Sequence, residues 1–262
     1  AGGAAVVFAA RPAAVGREWG PRWVGEGRWV FSNSGAYELG GRVPVIPEVN
    51  PADLPPRDRP ALVLSPNCSA HGLALSLAPL RRLGLDRVIV TTLQALSGAG
   101  KKGVPELEGG DNLLPHILGE ERRLEQETAA MLGGGVVLSA QCNRVLVRDG
   151  HTLSVSVGFR APVEAGAILD AWARFPARRL PSAPDPPLVY LDDPARPQPL
   201  LDRDAQRGMQ VSLGRLRSCP VLGWRYVALV HNLVRGAAGA ALLNAEEVLL
   251  GGPDDGPGPS GW

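Results

Sequence analysis

Sulfur is scarce in this sequence. Its three cysteines, Cys68, Cys142 and Cys219, show no C-x-x-C spacing among 262 residues, which leaves no basis for a disulfide framework or a structural zinc site. No metal is called for. Charge of one sign is also lacking: 27 Lys and Arg face 26 Asp and Glu, and no basic block with interleaved aromatics occurs, so a nucleic-acid surface is not indicated. No run of 18 apolar residues exists, and the first residues lack the order of a signal peptide, so no membrane partner is expected and a cytoplasmic location is. The early sequence holds no G-x-G-x-x-G, which taken alone counts against a dinucleotide cofactor.

What is present is average globular chemistry, with 45% hydrophobic and 20% charged residues, cut by 33 glycines and 25 prolines into short elements with many loops. Apolar runs at Ala4–Ala10, Trp29–Phe31, Val43–Ile46 and Ala61–Leu64 read as buried strands of an α/β sheet. Leu73, Leu77 and Leu80 at helical spacing predict a helix over Ser69–Leu83, stopped by Gly84. Arg87–Thr92 reads as a strand feeding a glycine-rich loop, Gln94–Gly100. Glu120–Leu132 reads as an amphipathic helix with Leu124, Thr128 and Met131 on one side. Val136–Val147 and His151–Phe159 are expected to form a hairpin about Asp149-Gly150. A helix over Val163–Phe175, strands at Leu188–Leu191, Met209–Leu216 and Arg225–Val230, a last helix from Arg235 to Leu250 and a disordered tail at 251–262 complete the expectation. There is no internal repeat.

Cys68 is the first candidate for chemistry, because Ser65-Pro66-Asn67-Cys68-Ser69 puts it where a strand gives way to a helix, and a helix amino terminus favours the thiolate. A buried cysteine used as a small apolar residue is the plain alternative. Of His71, His116, His151 and His231, only His151 has helpful surroundings: in a hairpin it would face one pocket with Arg144, whose guanidinium could hold a carboxylate. The Gln94–Gly100 loop offers backbone amides to a phosphate or a ring, though it could equally be a turn.

Together these stretches resemble the aspartate-semialdehyde dehydrogenase family, in the branch found in archaea, fungi and some bacteria. The resemblance runs from Ala4 to Val248. It is carried by Ser32-Asn33, Val43 to Asn50, Ser65-Pro66-Asn67-Cys68, Gln94 to Gly100, Glu120-Glu121 with Glu127-Thr128, Cys142-Asn143-Arg144 with Gly150-His151, and His231-Asn232 with Arg235 to Gly239. It implies α/β plus α+β architecture: an incomplete Rossmann-like NADP-binding domain with an inserted mixed-sheet catalytic and dimerisation domain. Residues 1–66 would be the remainder of the first, completed by a C-terminal helix at 231–250, and 67–230 the second, in a homodimer or homotetramer. Family members begin with a strand and glycine-rich loop roughly 70 residues before this chain's start, so the sequence, which opens on Ala1, is expected to lack its N-terminal nucleotide-binding segment.

By the same resemblance Cys68 is the nucleophile that forms an acyl-thioester, His151 the general acid/base and Gln94 the residue that orients the intermediate. Glu120 and Arg144 hold the substrate's amino group and carboxylate, with Asn67 and Arg123 also lining the substrate. Ser97, Gly98, Gly100 and Asn232 lie near the nicotinamide and phosphates of NADP. The implied reaction takes a small-molecule acyl phosphate and releases phosphate. Two residues depart from the pattern: Glu38 stands where the family's phosphate-binding Arg is usual, with Arg42 the nearby substitute, and Arg123 replaces a Lys. The alternatives are a malonyl-CoA-type acyl-CoA reductase of the same fold and a non-catalytic truncated paralogue.

Overall fold

The computed structural model describes residues 5–10, 13–34 and 42–251. Glu38 and the tail at 252–262 therefore lie outside the described residues. Two sheets organise what is described. The first is three-stranded and parallel, in the order β1 (Val6–Ala9), β2 (Trp29–Ser32), β3 (Leu62–Leu64). Helix α1 (Ala13–Gly25) packs Trp23 and Val24 against Val30, Leu62 and Leu64. The sequence hid this helix behind Gly16, Gly20 and Pro21, poor helix formers in its interior that tertiary packing overrides.

The predicted strand at Val43–Ile46 does not form. Pro44 and Pro47 remove two donors, and one backbone bond joins the run to β3, from Val45 N to the Leu64 carbonyl at 2.8 Å. Asn50 stabilises a turn there instead, accepting from Ile46 N at 3.0 Å and donating to the Pro44 carbonyl at 2.8 Å.

Helix α2 (Cys68–Leu77) runs into a 3₁₀ segment, Ala78–Leu83, which ends at Gly84 in the left-handed region, φ 83°. Its amino end is capped by Asn67: Oδ1 of Asn67 accepts from the amides of Ser69 and Ala70. Every residue of α2 after Cys68 is buried, because the helix lies across the second sheet.

That sheet is six-stranded and mixed, in the order β5-β4-β6-β9-β8-β7. Its strands are β4 (Leu85–Gln94), β5 (Val137–Arg144), β6 (His151–Phe159), β7 (Leu188–Leu191), β8 (Val211–Cys219) and β9 (Gly223–Val230). Val88 and Val90 of β4, Val155 and Val157 of β6, and Ala228 and Val230 of β9 point into one core with Leu73, Leu77 and Leu80. Helices α3 (Glu120–Met131) and α4 (Ala165–Ala173) cover the same face beside α2. Two single turns, α5 (Pro199–Asp202) and α6 (Ala205–Gly208), precede β8.

The expected hairpin between β5 and β6 is replaced by a wider connection. Strand β5 pairs parallel to β4, and β6 pairs antiparallel to the other side of β4. Residues after β5 bond to the chain beyond the end of β4, as in Leu96 N to the Val147 carbonyl and Ser97 N to the Arg148 carbonyl, so the connection passes over β4 before β6 starts.

After β9 the chain makes a π-helical turn, Val234–Ala238, and enters the last helix, α7 (Gly239–Leu249). Ala241, Ala245 and Val248 of α7 pack on Trp29, Phe31 and Val63 of the small sheet. Glu247 pairs with both Arg178 and Arg57, tying the helix to two distant loops. The fully buried pair Arg235–Glu48, at 2.6 Å, joins the π-helical turn to the loop before β3.

Candidate active site

Parallel pairing of β4 with β5 sets Gln94 opposite Arg144 at the carboxyl ends of both strands. Because β6 runs antiparallel, its first residue, His151, falls at the same end of the sheet, beside Val230 at the end of β9. The amino terminus of α2 meets these ends and brings Cys68 into contact with His151, Sγ to Nε2 at 3.2 Å. His151 and Arg144 come together against Gly98, although by a different route from a hairpin.

The protonation state of the pair follows from its surroundings. Burial pushes the Cys68 thiol up to about 12, with Glu120 adding to the rise while Arg123, the Ser69 amide and Arg144 oppose it. Burial, then the charges of Arg144 and His231, pull His151 down to about 3. Both groups are therefore neutral near pH 7. The backbone N–H of Ala95 donates to Nδ1 of His151 at 3.0 Å, so that nitrogen carries no proton. The neutral ring must then carry its hydrogen on Nε2, which faces the sulfur as a donor.

Around this pair the remaining candidates converge. Oε1 of Glu120, at the start of α3, accepts from Asn67 Nδ2 at 2.8 Å and from Gln94 Nε2 at 2.9 Å. No salt bridge to Glu120 forms among the described residues. Arg144 is buried and donates from Nη1 to the Ala95 carbonyl at 2.7 Å, so Ala95 orients the imidazole through its N–H and the guanidinium through its carbonyl. Arg123 stands one turn after Glu120 on α3. Burial works against its charge, but Glu127 and Glu120 carry its pKa above the usual value, with Cys68 contributing. Asn232, just after β9, accepts from the Gly150 amide and donates to Ser97 Oγ at 2.9 Å, tying the loop after β4 to the start of β6. Gly98 sits against the pair: a Cβ there would lie 2.5 Å from Arg144 Nη1 and 3.2 Å from His151 Cε1.

Not every candidate joins the cluster. Gly100 adopts φ 67°, open to glycine, and a Cβ on it would meet nothing within 4 Å. Arg42 donates to the Leu62 carbonyl at the edge of the small sheet. Of the other histidines, His71 is fully buried with both ring nitrogens unpartnered, His116 lies exposed 3.9 Å from Glu121, and His231 is 3.5 Å from Asp204.

Three contributors lie in the stretches that carry the resemblance but were given no role there. The Ala95 peptide acts only through its backbone. Gly236, in the π-helical turn, packs so closely that a Cβ would lie 2.6 Å from Cys68 Cβ and 2.9 Å from its Cα. Glu127, which is buried, accepts from Arg123 Nε at 2.6 Å and from the Asn67 amide at 2.5 Å. Its spacing from Glu120 and Arg123 on one helix face was the available signal.

A mixed sheet bearing a thiol–imidazole pair at one end fits the class to which residues 77–235 match, the family described as "Semialdehyde dehydrogenase, dimerisation domain". The chain is 42% identical over 259 residues to an aspartate-semialdehyde dehydrogenase of Archaeoglobus fulgidus, covering 92% of this chain and 76% of that protein. A Cryptococcus neoformans aspartate-semialdehyde dehydrogenase is 40% identical, covering 83% and 68%. Among solved structures, the Candida albicans aspartate semialdehyde dehydrogenase with NADP superimposes with a TM-score of 0.83 at 33% identity, covering 94% of this chain and 77% of that one. The Vibrio cholerae aspartate semialdehyde dehydrogenase II gives 0.80 at 25% identity, covering 94% and 79%. The chain belongs to the aspartate-semialdehyde dehydrogenase family.

Proposed function

We propose that the chain catalyses reductive dephosphorylation of L-aspartyl-4-phosphate to L-aspartate 4-semialdehyde with NADPH, through an acyl-thioester on Cys68. The step lies in lysine, methionine and threonine biosynthesis, in the cytoplasm. The observation that carries this reading is the 3.2 Å contact of Cys68 with His151, set among Arg123, Arg144 and Glu120. Carried over from the family, NADP would be held by Ser97, Gly98, Gly100 and Asn232. Glycine at 98 is what lets this loop lie directly against Arg144 and His151, since a Cβ there would fall 2.5 Å from Arg144 Nη1. Bound there, the cofactor supplies the hydride.

The chain's own residues do the rest. Arg144 offers a fork for the α-carboxylate, and Glu120, an unpaired carboxylate held by Asn67 and Gln94, suits the α-ammonium. Arg123 faces the leaving phosphate. The sulfur must shed its proton before it attacks the acyl carbon, and that proton leaves with the departing phosphate; the positive charges of Arg123 and Arg144 favour the thiolate, and Nε2–H of His151 donates to it. The same Nε2–H then donates a hydrogen bond to the oxyanion of the tetrahedral species at the acyl carbon without giving up its proton, and collapse of that species re-forms the carbonyl and expels the thiolate, which takes a proton from solvent. The ammonium-sized acceptor at Glu120 favours an aminated substrate over malonyl-CoA, and the joined set of groups favours a catalytic chain over an inert paralogue.

The six-stranded sheet lies within the dimerisation-domain match, and its outward face exposes Ile89 and Leu93, which suits a homodimer or homotetramer. The assay for the function runs in the phosphorylating direction. NADP reduction should require both aspartate semialdehyde and inorganic phosphate, and malonyl-CoA should not oxidise NADPH. Turnover with malonyl-CoA alone would overturn the assignment.

A further inference from the structure

Glu127 has no part in the chemistry above, yet it touches the two elements on which that chemistry depends. It lies on α3 one turn beyond Arg123, 4% exposed. One carboxylate oxygen accepts Arg123 Nε–H at 2.6 Å. The other accepts the backbone N–H of Asn67 at 2.5 Å, on the residue that caps α2 and precedes Cys68. An arginine held through Nε keeps both terminal nitrogens for other work, and those of Arg123 make no hydrogen bond among the described residues. A lysine in its place would have to divide one ammonium between Glu127 and an anion. The arginine that replaces the family's lysine thus comes with a carboxylate able to aim it.

We propose that Glu127 is a positioning residue that turns the Arg123 guanidinium toward an anion at Cys68 and fixes its distance from the capped end of α2. This rests on the reading of Arg123 as the phosphate contact of the proposed reaction. Glu127 touches neither substrate nor sulfur; it acts through Arg123 and the Asn67 amide. The Glu127→Gln variant keeps an acceptor for the Asn67 amide and removes the charge that anchors Arg123, so its effect should fall on phosphate.

Two readouts test this on the whole chain. The first is the rise in Tm produced by inorganic phosphate at constant ionic strength, which needs no turnover. The second is KM for phosphate against KM for aspartate semialdehyde. Glu127→Gln should raise the half-saturating phosphate concentration about tenfold in both, as expected for loss of a charge-assisted contact, and move the semialdehyde KM by less than about twofold. In an Arg123→Ala background the Glu127→Gln change should no longer alter the phosphate response, because no guanidinium remains to aim. Equal shifts for both ligands, an unchanged phosphate response, or an effect that persists without Arg123 would each overturn the proposal. So would a parent chain whose Tm ignores phosphate. A parent that responds to phosphate in Tm but does not turn over semialdehyde would count against the reaction and leave the role of Glu127 standing on the first readout.

Discussion

At Cys68, burial outweighs the helix. A helix amino terminus and two arginines favour the thiolate, but desolvation and Glu120 prevail and hold the thiol up near 12. In the free protein the thiolate fraction therefore grows with pH throughout the neutral range. Alkylation of Cys68 by iodoacetamide, followed by peptide mapping, should accelerate about tenfold per pH unit between pH 7 and 9 with no plateau. A plateau at neutral pH would reveal a thiolate–imidazolium pair and contradict the tautomer set by the Ala95 amide. Arg144 tests the other half of the site. Arg144→Lys keeps the charge but loses the fork, and kcat/KM should fall roughly 10- to 150-fold. If thermal stability falls while kcat/KM holds, Arg144 is structural.

At the scale of elements, the residues that the structure brings together were legible as candidates because they cluster in short stretches of fixed type: Asn67-Cys68, Gln94 to Gly98, Glu120 with Arg123, and Gly150-His151. Strand and helix positions were legible wherever apolar periodicity was strong, as in β4, β6 and α3. Pairing was not. Asp149-Gly150 signals a turn, but nothing local says that β4 will lie between β5 and β6, since that depends on which strands bury their inward faces together. Val43–Ile46 failed as a strand because two prolines outweigh its apolar character. Gly236 was legible only as part of the family stretch, and its physical role, close approach to Cys68, is tertiary. Gly236→Ala should push on the Cys68 backbone, which cannot swing aside, at a cost of about 1–3 kcal/mol in stability. Thermal melts should show that loss, with turnover falling further than in Gly166→Ala on α4, where the added Cβ meets no neighbour.

At the scale of the whole molecule, α7 fastens the small sheet to the rest, and Glu247, 2% exposed, is its main charged anchor. Glu247→Ala removes the buried carboxylate that Arg178 and Arg57 share and should lower stability by about 1.5–3 kcal/mol in denaturant titrations. Loss under about 1 kcal/mol would mean that apolar packing alone seats the helix. The pH dependence of stability is also built in. His71 and His151 are both fully buried with pKa values below the ordinary histidine range, to about 3 for His151. Such groups bind protons in the unfolded state before the folded one, so stability is full above about pH 6.5 and falls as pH drops toward 3, by up to about 1.4 kcal/mol per unit for each histidine. His71→Leu should flatten this acid slope in melts between pH 7 and 5; an unchanged slope would remove His71 from the account of acid sensitivity.

Formation of a covalent acyl group on Cys68 is the claim on which the proposed chemistry turns. Intact-protein mass spectrometry after mixing the chain with aspartate semialdehyde and NADP in the absence of phosphate reads it directly. The expected result is a mass gain of one aspartyl group, mapped to the peptide bearing Cys68, discharged by inorganic phosphate and absent from Cys68→Ala. Turnover with no such adduct, or an adduct that survives in Cys68→Ala, would contradict it.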